Sequence, residues 1–81
     1  MASISGNLRA EAEALADGLD EAGYDFRADE LRRAAASSVL IYLFEELNAV
    51  QLMLQPSEHL PADAELLRKA KQLYDQVTAA L

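Results

Sequence analysis

Eighty-one residues, 52% of them apolar, with no Cys and no Trp, describe one compact domain spanning residues 1–81. Fourteen acidic side chains against seven basic ones give a net charge of −7, which argues against direct nucleic-acid binding, because Lys and Arg supply most of the affinity for phosphates. Without cysteine there is no disulfide, no thiol nucleophile and no Cys-ligated zinc.

Sixteen Ala and fourteen Leu stand against six Val, Ile and Thr combined, so the apolar content is of the kind that loses little rotamer freedom in a helix. The expectation is an all-α protein, a small up-and-down bundle of four helices. The first helix is predicted over residues 7–22, where Leu8, Ala12, Leu15, Leu19 and Ala22 fall on one stripe, Asn7 supplies the N-cap and Gly23 the stop. Gly18 lies beside that stripe and is read as a tolerated glycine, costing about 1 kcal/mol relative to Ala, rather than as a close helix contact. A second helix over 26–36 starts from an Asp25 cap and repeats the spacing at Tyr24, Ala28, Leu31 and Ala35. The short turn at Gly23 makes the two an antiparallel hairpin.

Ser37-Ser38 either breaks the chain before a third helix or is passed through by one long helix, which would leave three helices in all. The break is preferred, because a continuous helix to Gln55 would give the first helix only half of its length to pack on. The third helix, over 39–55, is the most apolar. Val39, Leu40, Leu43, Leu47, Val50 and Leu54 form its core face, with Phe44 on one flank and Tyr42 and Met53 on the other. Pro56 ends it, QPSEHLP is a loop, and Pro61 opens a fourth helix over 62–80, whose stripe is Leu66, Ala70, Leu73, Val77 and Ala80, widened by Leu67, Tyr74 and Leu81. Leu15, Leu19, Leu31, Leu43, Leu47, Leu54, Leu66, Leu73 and Val77 are the expected core.

Two surfaces stand out. Residues 1–30 hold eight acids and two bases while the rest of the chain is nearly neutral. Asp17, Asp20 and Glu21 therefore mark an acidic face, either solvated or docking a basic partner. The Arg32-Arg33 pair is sufficiently explained by the dipole at the end of the second helix. On the third helix, Ile41, Glu45, Asn48 and Leu52 recur at i, i+4, i+7 and i+11, a second stripe opposite the core face, with Tyr42 and Met53 widening it. Those six are the candidate interaction residues.

Catalytic patterns fail one by one. His59 is the only histidine, no helical metal-site spacing accompanies it, and it is read as an exposed loop residue. Three isolated glycines build no phosphate loop. The adjacent acids Glu45-Glu46 and Asp20-Glu21 point about 100° apart on a helix and cannot share a site. Glu46 is expected to lay its stem along the stripe edge with the carboxylate in water, rather than to meet an arginine from another helix. No enzyme activity, cofactor or metal is expected.

MASISGNLRA carries no basic patch ahead of an apolar run, and the longest such run, Val39 to Phe44, has six residues against the ~20 that span a bilayer. A cytoplasmic protein without membrane partners follows as the expectation. The best-supported function is a small acidic protein–protein interaction module: an adaptor, inhibitor or regulator. The alternatives are a homodimeric assembly subunit paired through the third helix, or a small apolar-ligand carrier using Tyr42, Phe44 and Met53.

Overall fold

Helix-forming composition and period-3.6 stripes translate into four helices in the computed structural model, which describes residues 4–55 and 64–81. They are α1 (Gly6–Glu21), α2 (Asp25–Ala36), α3 (Leu40–Met53) and α4 (Ala64–Ala80). Pro56, His59 and Pro61, with residues 62 and 63 of the expected fourth helix, lie outside the described residues.

Each helix packs on the next and α4 returns to α1, while the diagonal pairs α1/α3 and α2/α4 come nowhere within 8 Å between Cα atoms. Neighbours run antiparallel. Arg9 at the start of α1 reaches Ala35 at the end of α2, Arg27 early in α2 meets Glu46 in α3, Phe44 of α3 stacks on Tyr74 of α4, and Gly18 of α1 sits against Leu66 of α4. The result is an up-and-down ring, with a radius of gyration of 11.9 Å close to the roughly 12 Å expected of a compact chain this long.

All nine expected core residues are buried, joined by small ones such as Ala12, Ala16, Ala28 and Ala70 that let the helices approach. Ala22 and Ala80, the last positions of their stripes, are exposed, because each lies where its helix runs out. Among the described residues no polar or charged residue is buried.

The helix ends differ from expectation in instructive ways. Ser5, not Asn7, caps α1, its side chain accepting from the Leu8 N–H at 3.1 Å. Asp25 is the first residue of α2 rather than its cap, a position taken by Tyr24 without a side-chain bond. There its carboxylate still faces the positive end of the helix dipole. Gly23 has φ +94° and turns the chain between α1 and α2, a conformation that side chains with a Cβ resist.

The break at Ser37-Ser38 is present and is made by side chains. Ser37 Oγ donates to the Ala34 carbonyl at 2.7 Å and accepts from the Val39 N–H at 3.2 Å. Arg9 then crosses from α1 to donate through Nε to the Ala35 carbonyl at 3.1 Å and through a terminal nitrogen to Ser38 Oγ at 3.2 Å. These bonds satisfy carbonyls that a helix C-terminus leaves without partners. Ser38 itself stands at φ +64°, the left-handed region where a branched Cβ is most strained. Ser38→Val should therefore cost about 1–2 kcal/mol, read as a lower urea midpoint at unchanged slope, while Ser38→Gly should be tolerated.

Gly18 is a close-approach glycine after all. A Cβ built there would lie 2.8 Å from Leu66 Cδ2 of α4, so the missing side chain makes room for the tip of Leu66 against α1.

Candidate interaction surface

The exposed large apolar side chains among the described residues are Phe26, Ile41, Tyr42, Leu52 and Leu81, and three of the five belong to α3. At 100° per residue Ile41, Glu45, Asn48 and Leu52 fall within about 60° of arc, and the stripe runs for roughly 16 Å along the helix. Ile41 is 44% exposed and Leu52 66%, with the exposed Glu45 and Asn48 between them. Tyr42, 55% exposed, turns toward α2, where it lines a shallow groove with Glu30, Arg33 and Ser37.

Met53 is half-buried and packs against the core. It shares a second small groove with Gly23, Tyr24 and Phe26. Phe26 extends this apolar surface onto α2 and was not among the sequence candidates. Its signal was present: it is a large aromatic off the Tyr24, Ala28, Leu31, Ala35 stripe. Arg27 lies over the Phe26 ring, 5.4 Å from its centroid, and covers one face of it.

The outer faces of the other helices have a different chemistry. Those of α1 and α4 present Glu, Asp, Gln, Lys, Arg and Ala to water, and α2 adds only Phe26 to such a set. On α3 the two carboxylates are the only charges. Glu46 is taken by Arg27, Nη1 to Oε1 at 2.8 Å, with the side chains 26% and 19% exposed. The expectation of a carboxylate in water is thus corrected: a cation from the neighbouring helix holds it, because burial of the stem leaves no cheaper solution. Glu45 has no ion pair among the described residues.

The acidic face is partly neutralised from within. Arg32 places one terminal nitrogen 2.8 Å from Asp17 and 2.6 Å from Asp20, and the other 3.5 Å from Asp29. A helix dipole alone is therefore not what fixes Arg32; it staples α2 to α1. Hydrogen bonds to Asp17 and then Asp20 raise the arginine's pKa above its ordinary value. Stability from a raised value is lost only as pH climbs through it, so this contribution does not vary near neutrality. Of the three acidic candidates, Glu21 is exposed and is the one without an ion pair among the described residues.

Tyr42, Phe44 and Met53 are not brought together. Phe44 turns to the opposite flank of α3 and stacks on Tyr74 with ring centroids 5.0 Å apart, while Tyr42 and Met53 line separate grooves beside α2. A further groove between α1 and α4, floored by Leu15 and Leu73, offers about 210 Å³, less than the shallow groove beside Tyr42, at about 370 Å³. Among the described residues no group of three or more His, Asp or Glu side chains is placed to hold a metal, and no helix is long and apolar enough to cross a membrane. No family model matches the chain, and neither a curated protein nor a solved structure matches it.

Proposed function

We propose that this protein is a non-catalytic interaction module that acts by laying the outer face of α3 against a protein surface. One observation carries this: among the described residues only α3 keeps several large apolar side chains, Ile41, Tyr42 and Leu52, in water, outside the buried core cluster. Isolated exposed leucines are ordinary, but two aliphatics aligned on one helix, flanked on the α2 side by Tyr42 and Phe26, form the kind of patch that marks binding surfaces.

A photo-crosslinking side chain at position 52, compared with one at Arg68 on the outer face of α4, tests this in the native host. Discrete adducts are expected from position 52 alone, and Ile41→Asp in the same chain should abolish them. Equal, diffuse labelling from both positions would count against α3.

The acid excess of α1, which carries five acids and one base, favours a second reading in which a basic partner docks there. Because Asp17 and Asp20 hold Arg32, reversing them would disturb the fold contact too. Glu21→Lys with Glu13→Lys is the cleaner change, expected to slow association with such a partner at low salt.

A further inference from the structure

We infer that the occupant of the α3 face is a second copy of this chain, laid antiparallel across it on a two-fold axis. This rests on α3 being the binding face; two features name the partner and a third sets how tightly it is held.

The first is the symmetry of the stripe. Positions 41, 45, 48 and 52 are symmetric about the midpoint between Glu46 and Leu47. A two-fold axis there puts Ile41 opposite Leu52 of the second copy and Glu45 opposite Asn48 of the second copy, each contact made twice. Aliphatic meets aliphatic, and the one free carboxylate meets an amide able to donate to it. Parallel pairing in register would instead set Glu45 against its own copy, a like-charge contact.

The second feature is charge. Two chains of −7 repel each other, yet α3 stands diagonally across the ring from acid-rich α1. With helix spacings of 8–10 Å, an α3-to-α3 pair holds the two α1 axes roughly 35 Å apart, several times the ~8 Å screening length in physiological salt. No other helix face separates them so far. A partner selected for a positive surface would be drawn to α1, the helix opposite.

The third is size. The face offers few exposed apolar groups, Ile41 at 44%, Tyr42 at 55% and Leu52 at 66%, against the ~800 Å² per partner typical of a stable complex. The pair therefore assembles and separates with concentration.

Sedimentation equilibrium over a wide concentration range, with helical CD as the folding control, reads the outcome. The mass should climb from 8.8 kDa toward twice that value, and the association should strengthen as salt screens the repulsion. Ile41→Asp with Leu52→Asp should hold the chain at the single mass with its CD unchanged, and Leu52→Lys alone should do the same if the double variant loses helix.

Because the chain has no cysteine, single substitutions report the register. Asn48→Cys should cross-link to itself, and Leu52→Cys should link to Ile41→Cys in a mixture but not to itself. A mass of 8.8 kDa at every concentration, association that weakens with salt, or Leu52→Cys linking to itself as fast as the mixture would each overturn the antiparallel pair. In the first case, adducts from position 52 to a different protein would leave α3 as the binding face and remove only the second copy. No such adducts would remove both.

Discussion

Leu47→Ala should destabilise the protein by about 3 kcal/mol, the central range for emptying a leucine site in a packed interior. Leu47 is wholly buried at the middle of α3, in one apolar cluster with core residues of all four helices. The loss has two parts, the transfer of the removed carbons back to water and the cavity that the rigid helices close only in part. A domain of this size holds roughly 4–12 kcal/mol in total, so the variant approaches its unfolding limit. Its melting temperature should fall by about 12–24 °C, from the 4–8 °C per kcal/mol typical of domains this long. Ile41→Ala on the opposite face of the same helix, 44% exposed, should stay within about 0.5 kcal/mol of the parent. A calorimetric scan giving similar melting temperatures for the two variants would show that α3 is rotated from the orientation described.

Arg27→Ala should cost about 1.5 kcal/mol, placed between the under 1 kcal/mol of exposed ion pairs and the 3–5 kcal/mol of fully buried ones. The pair with Glu46 is a quarter to a fifth exposed, so water screens part of the attraction. Removing the cation leaves the Glu46 carboxylate against the α2/α3 contact without its partner. Arg27 Nε is already buried with no hydrogen-bond partner among the described residues, so within them the arginine is itself imperfectly satisfied. Arg27→Met with Glu46→Leu should accordingly recover the loss, and a double-mutant cycle with alanine at both sites should return a coupling of about 1 kcal/mol. Urea denaturation measures each. A neutral Arg27→Ala variant would show that the contact adds nothing to the fold.

These variants also separate what local patterning reveals from what it does not. Leu15, Leu31, Leu47 and Leu73 were legible as core because helical period is a property of neighbours in sequence, and each lies at the centre of its own stripe. The outward stripe Ile41, Glu45, Asn48, Leu52 was legible for the same reason. Contacts that close over distance were not. Nothing near Gly18 announces Leu66, 48 positions away, and nothing near Glu46 selects Arg27 over the other arginines.

The α2/α3 corner was half legible. Two serines in a helix-forming stretch suggest a break, but the Arg9 bonds that complete it come from 26 and 29 residues upstream. Caps fall in between: Ser5 and Asn7 are both competent N-caps two positions apart, and only the backbone geometry of Ser5, φ −70° and ψ 157°, decides between them.

A ring in which every helix touches the one before and the one after has no topological beginning. Because α1 and α4 are antiparallel neighbours, the first turn of α1 and the last turn of α4 share one end of the bundle. The exposed Gly23 turn lies at the other end. A circular permutant that bridges residues 81 and 4 with a few glycines and opens the chain at Gly23 would keep all four helix contacts, and would break only the turn whose left-handed glycine made the first hairpin. Such rearrangements succeed where exposed loop tips are cut and nearby ends are joined. Fusions joined ahead of α1 and after α4 would project from one pole, leaving the flank formed by α3 unobstructed.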